Sequence, residues 1–193
     1  RQGEGTALGN LGTTYLDMGD YAEAIDHSKQ ALAIAHKIDD QNIEGRVLVN
    51  LGTIYLHMGD YTKAIDHSEQ AMGITQAIGD QQSEGRCLGS LGSVYFSMGQ
   101  YATAIEYHRQ ALTIAQAIGD RQGEGLWLSG LGITYDFLGQ YATAIEYYEQ
   151  ALAIARDIGD RKGEGLWLGN LGIAYHNLGQ YDKALAHYKQ SID

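Results

Sequence analysis

Apolar positions along this chain recur at steps of three and four. In the first forty residues Leu8, Leu11, Tyr15 and Met18 form one such series, and Tyr21, Ala24, Ile25, Ala31, Leu32, Ala35 and Ile38 form a second. That spacing puts each series on one face of an α-helix. Between the two stands Gly19, a natural left-handed stop. Asp20 follows as a natural N-cap, with Glu23 at capping-box distance. The pattern predicts two helices joined by a tight turn.

The same pattern returns every forty residues. Residues 101–140 and 141–180 are identical at 29 of 40 positions. Leu-Gly-x-x-Tyr starts at Leu11, Leu51, Leu91, Leu131 and Leu171, and the turn glycine recurs at Gly19, Gly59, Gly99, Gly139 and Gly179. Self-similarity at this period marks stacked supersecondary units, not a closed globule. The units run about 1–40, 41–80, 81–120, 121–160 and 161–193, read together as a single domain over 1–193. At the joints, Gly79, Gly119 and Gly159 are predicted to cap the second helix; Asp39 holds that place in the first unit, at some conformational cost. Asp40, Asp80, Asp120 and Asp160 are predicted N-caps of the following helix, with Glu44, Glu84, Glu124 and Glu164 in its first turn, where the helix dipole favours an acid. A mid-helix glycine costs roughly 1 kcal/mol relative to alanine. Its recurrence at Gly12, Gly52, Gly92, Gly132 and Gly172 predicts close approach of the paired helix, at the column of Ala24.

Leu8, Leu11, Gly12, Tyr15, Gly19, Tyr21, Ala24, Ala31 and their copies resemble the tetratricopeptide repeat over the whole chain. The usual unit of that family is shorter and closes with a proline. This chain has no proline, and a longer Gly-Asp-Arg-x-Gly-Glu-Gly joint takes its place. The forty-residue form is similar to the repeats of kinesin light chains and spindle-orientation adaptors. It is also similar to near-identical arrays in bacterial, especially cyanobacterial, signalling proteins, where the array sits beside a nucleotide-binding switch or a protease-like effector. Near-identity of the units fits those bacterial arrays or a consensus-engineered one. The resemblance implies an all-α fold, an α-α superhelix (solenoid) of five helix-turn-helix hairpins, whose first helices line a concave groove that grips extended peptides.

Columns of the first helix that change while the scaffold repeats are free of packing duty, and they map the candidate groove. The peptide-binding residues so chosen are Asn10, Thr13, Arg46, Asn50, Thr53, Leu56, Arg86, Ser93, Phe96, Leu126, Ile133, Phe137, Leu166, Asn170 and Ile173. Early units offer arginine, which forks a carboxylate, and asparagine, which holds a backbone amide. Later units offer leucine, isoleucine and phenylalanine. A ligand with an acidic end and an apolar end suits that split. The asparagine that grips peptide in the family is missing from the column of Thr13. Trp127 and Trp167 read as packing between units, and Tyr107, Tyr147, Tyr148 and Tyr188 as core and convex packing.

Composition narrows the function further. The formal net charge is −11, with 24 Asp+Glu against 13 dispersed Lys+Arg. Nucleic-acid binding normally needs a basic stripe, so neither nucleic acid nor an anionic membrane is an expected partner. No apolar run is long enough for a membrane span, and the first residues do not form a secretory signal. One cysteine, Cys87, makes no internal disulfide, which fits a reducing, cytoplasmic setting. Its column otherwise holds Ala, Val and Trp, so a buried thiol is predicted. His27 and His67 share a column one unit apart, too far for a common tetrahedral metal. No nucleophile arrangement is evident. Neither a cofactor, a metal nor an enzymatic activity is therefore expected. The chain opens inside a joint, without an initiating Met, and stops inside a second helix. It reads as an excerpt of a longer array, or as one with covered ends. The alternative function is structural: copies stacking end to end into oligomers.

Overall fold

The computed structural model describes residues 1–192 and is all-α. Ten helices follow one another: α1 (Gln2–Asp17), α2 (Tyr21–Ile38), α3 (Gln41–His57), α4 (Tyr61–Ile78), α5 (Gln81–Ser97), α6 (Tyr101–Ile118), α7 (Arg121–Phe137), α8 (Tyr141–Ile158), α9 (Arg161–Asn177) and α10 (Tyr181–Gln190). They group into two compact units, Arg1–Met98 and Gly99–Asp193. The sequence reading drew one domain over 1–193.

Helix ends follow the predicted local chemistry. The backbone amides of Ile43, Ser83, Gly123 and Gly163 donate to Oδ1 of Asp40, Asp80, Asp120 and Asp160 at 2.9–3.1 Å. Asp20 and Asp60 accept likewise from Glu23 and Lys63, at 3.4 and 3.3 Å. Gln100, Gln140 and Gln180 occupy the matching N-cap positions without a side-chain cap bond. Turn and joint glycines lie in the left-handed region, with φ between 71° and 77°. Asp39 shares that region, at φ 55°, and is the one non-glycine residue to do so among those described.

In the first unit α1 packs on α2, α3 on α4, and α3 also lies against α1 and α5. Its core is made of Ala24, Ala31, Ala35, Val47, Leu51, Ile54, Ala64, Ala71, Cys87 and Val94, all buried. In the second unit α7 packs on α8 and α9 on α10, while α7 and α9 also touch. Leu128, Ala144, Tyr148, Ala151, Trp167, Leu168, Leu171 and Ala174 form its core.

Two expectations need correction. Met18 belongs to no core: it is the C-cap of α1 and 72 % exposed, because the helix ends before the side chain can turn inward. Met58, Met98, Leu138 and Leu178 are exposed in the same position. The mid-helix glycines do mark a close approach, but the nearest group lies four residues beyond the Ala24 column. A Cβ on Gly12 would stand 2.5 Å from Ser28 Oγ and 3.2 Å from the Ala24 carbonyl oxygen. In the second unit the Tyr148 ring fills that place, 2.6 Å from a Cβ on Gly132.

The Asp39 joint gives a direct test. Removing the Cβ penalty in the left-handed region, net of the added freedom glycine gives the unfolded chain, predicts that Asp39→Gly stabilises by about 0.5–1 kcal/mol. Thermal denaturation checks it as a rise of about 2–4 °C per kcal/mol for a chain of this size.

Candidate functional site

The first helices of each unit carry the candidate residues, because their other face is spent on packing. In α3 and α5 Leu51, Ile54, Leu91 and Val94 are buried, whereas the matching α1 positions, Leu11 and Thr14, are exposed. The intervening columns face away from that core and carry the variable side chains.

In the first unit these side chains form a polar ladder between neighbouring helices. Asn50 Nδ2 donates to Thr13 Oγ1 at 2.8 Å, and Arg46 Nη2 donates to Asn10 Oδ1 at 3.4 Å. Thr13, Thr53 and Ser93 each return their hydroxyl hydrogen to a carbonyl one turn back, on Gly9, Val49 and Gly89, at 3.1–3.2 Å. The ladder thus joins Asn10, Thr13, Arg46 and Asn50 across α1 and α3. Asn50 is only 9 % exposed and has committed an N–H to Thr13, so it serves the ladder first. Arg46 and Arg86 are exposed, while Leu56 and Phe96 are half-buried.

In the second unit the same columns are apolar. Leu126 and Leu166 are 49 % and 53 % exposed, Ile173 is 47 % and Phe137 64 %, with Ile133 half-buried among them. Phe137 also tilts against Tyr101, ring centroids 6.3 Å apart. Asn170 sits half-buried on α9. Beside this strip lies Asp136, a half-buried residue whose Oδ1 has no hydrogen-bond partner. Burial holds its carboxyl above the usual range, offset in part by a hydrogen bond from Asn177.

Other singled-out side chains serve packing. Trp167 is buried in the second core, and Trp127 stacks on His108 at 6.2 Å, so both join successive hairpins. Tyr147 stacks on Tyr135, Tyr148 is buried, and Tyr188 covers Gly172. Tyr107 is half-buried. Cys87 is fully buried, and desolvation pushes its thiol up to about 12, which makes it a poor nucleophile. His27 and His67 each stack on the tyrosine of their own hairpin.

Two recurrent devices escaped the sequence reading. One is a ring stack within the hairpin: Tyr15 on His27, Tyr55 on His67, Tyr135 on Tyr147 and Tyr175 on His187, centroids 5.2–5.5 Å apart and planes within 13°. The other is a clasp across the joint. His36, Gln76, Gln116 and Arg156 each meet the first-turn glutamate eight residues on, at 2.8–3.2 Å. The forty-residue offset between equivalent positions carried the signal for both, had the second-helix columns been aligned against the glutamate and tyrosine columns.

A family model described as tetratricopeptide repeat matches residues 3–77, 83–157 and 124–193. The chain belongs to the tetratricopeptide-repeat family. Its all-α array of helical hairpins is a fold typical of protein–protein interaction modules. Comparison with curated proteins gives no match. Among solved structures, BtubC (BKLC) from P. vanneervenii is 22 % identical, with TM-score 0.81 over 95 % of this chain and 76 % of that one. A Rap protein complexed with competence and sporulation factor is 20 % identical, with TM-score 0.85 over 94 % of this chain and 50 % of that one. A kinesin-light-chain-like array of nearly identical repeats from Podosopora anserina is 21 % identical, with TM-score 0.73 over 99 % of this chain and 94 % of that one. At these identities the likeness shows the fold alone. This chain spans half the length of the Rap structure. No helix among the described residues is long and apolar enough to cross a membrane.

The packing of this repeat makes stability depend on pH through His108. It is 3 % exposed, its Nδ1 has no partner, and burial lowers its pKa from 6.5 to about 4. The unfolded chain therefore takes up a proton at that site before the folded one does. Stability falls as pH drops from 6.5 towards 4, by about 3 kcal/mol for this group, and its contribution levels off below. His108→Tyr, the residue at the matching position 148, is expected to flatten that part of the slope in denaturant titrations at pH 7, 5.5 and 4.5.

Proposed function

We propose that this tetratricopeptide-repeat chain is a recognition module, binding a protein or peptide along the first helices of its hairpins. The observation that carries the reading is the strip of Leu126, Ile133, Phe137, Leu166 and Ile173. Leu126, Phe137, Leu166 and Ile173 are large and apolar yet 47–64 % exposed, and Ile133 lies half-buried among them, packed against the second core. Exposed large apolar side chains gathered on one set of helices mark interaction sites. The polar ladder of the first unit supplies Asn10, Thr13, Arg46, Asn50, Thr53, Arg86 and Ser93, with Leu56 and Phe96 at its margin. The first surface suits an acidic segment of a ligand and the second an apolar segment, and nucleic acid does not fit a chain of net charge −11.

Fold relatives support the setting. A Rap protein was solved with a competence and sporulation factor bound, and another neighbour is a signal-transduction ATPase with a tetratricopeptide-repeat sensor. We place this chain as the recognition arm of a bacterial, cytoplasmic signalling protein, and assign it no reaction of its own.

The test is capture of short degenerate peptides on the immobilised chain. Changing Leu126, Leu166 and Ile173 together to serine removes part of three apolar contacts. The loss is about 1 kcal/mol each at partial burial, so retention should drop by at least roughly tenfold. Helical circular dichroism is expected to stay unchanged. Retention equal to that of the unaltered chain would assign binding to another face.

A further inference from the structure

Apart from Arg1 at the start of the sequence, the arginines of this chain divide into two groups. Arg121 pairs with Glu124 and Asp157, Arg156 and Arg161 both pair with Glu164, and Arg109 donates to the Tyr135 hydroxyl at 2.7 Å. Arg46 and Arg86 have no carboxylate within ion-pair distance among the described residues; Arg46 has only the long bond to Asn10 Oδ1. This occurs in a chain where acids outnumber bases nearly two to one. The acid two residues before each arginine points to another side of the helix and is engaged across the joint: Glu44 meets His36, and Glu84 accepts from Gln76. Two exposed guanidinium groups are thereby left without counter-charge at equivalent positions of α3 and α5, which pack side by side in the first unit.

Packed helices run about 8–10 Å apart, a gap two arginine side chains can bridge. One turn beyond Arg86 on α5 lies Ser90, 9 % exposed, whose hydroxyl has no partner. The site therefore collects donors and two uncompensated positive charges. A carboxylate brings one charge and two oxygens. A phosphate monoester brings a charge of about −1.5 to −2 and three acceptor oxygens, which matches two guanidinium groups and a hydroxyl more fully.

We propose that Arg46 and Arg86, with Ser90, form an anchor for a phosphorylated side chain of the protein or peptide ligand. This rests on the first helices being the binding face. The anchor makes recognition conditional: the ligand gains its electrostatic hold when it is phosphorylated and loses it on dephosphorylation.

The experiment uses three pools of short degenerate peptides, identical except for a fixed central phosphoserine, serine or glutamate, on the immobilised chain. The phosphoserine pool is expected to be retained at least roughly fivefold more than either other pool, about 1 kcal/mol. Arg46→Gln with Arg86→Gln is expected to bring phosphoserine-pool retention down to that of the serine pool measured on the same variant. Arg121→Gln with Arg161→Gln, which alters arginines already paired, leaves the excess intact. Equal retention of the three pools overturns the proposal, as does a glutamate pool that matches the phosphoserine pool, or an excess that survives the Arg46 and Arg86 changes. Retention of the serine pool reads the binding face separately. If that pool binds without a phosphate excess, the anchor alone fails; if phosphoserine binds while no serine peptide does, the anchor stands and the apolar strip is not the main hold.

Discussion

Close approach of the two helices within a hairpin governs the rest of this structure. Gly12, Gly52, Gly132 and Gly172 have no side chain because another group already occupies the space a Cβ would take. That group is a serine in the first unit and a tyrosine ring in the second, so one backbone spacing accommodates two packings. The alanines at 24, 64, 104, 144 and 184 allow the same approach from the other helix, and all are buried. Each glycine forfeits roughly 1 kcal/mol of helix propensity. At Gly52, Gly132 and Gly172 the burial of the flanking Leu51, Leu131 and Leu171, which the tight spacing permits, outweighs it: a fully buried leucine is worth about 1.5–3 kcal/mol.

Once that spacing is fixed, the first helix has one face it cannot vary and one it can. Leu51, Leu91, Leu131 and Leu171 repeat without change. Position 46 and its copies run through arginine and leucine over the same backbone. The first unit uses this freedom for a hydrogen-bonded polar ladder, and the second for exposed apolar surface. Neither choice disturbs the hairpin. A single scaffold thus carries two chemically different surfaces, and it does so through a few substitutions per unit.

Features that depend on one helix at a time were legible in the sequence. Helix limits, the aspartate caps and the left-handed joints follow from local backbone chemistry. The structure reproduces them down to the left-handed Asp39. Features that depend on where side chains point between helices were not. Met18 continues the apolar spacing, yet it lies past the last helical turn and faces solvent. The approach at Gly12 was assigned to the column of Ala24, whose carbonyl oxygen lies 3.2 Å from the Cβ position, but side chains lean along the helix and bring Ser28 closer still. Asn50 looked like a ligand-gripping amide, but its nearest acceptor is Thr13 on the neighbouring helix. Spacing identifies the face; the partner on that face depends on how helices are offset.

The joint clasp shows the same division from the other side. The glutamate is constant at 44, 84, 124 and 164, while its partner is histidine, glutamine, glutamine and arginine in turn. All four meet the carboxylate at 2.8–3.2 Å. The geometry fixed by the joint asks only for a nitrogen at the right place, so chemically different residues satisfy it. The glutamates at 44 and 84 stand two residues before Arg46 and Arg86, a spacing at which helical side chains do not face each other. The clasp thus serves the joint on one side of the helix, while Arg46 and Arg86 stand exposed on another.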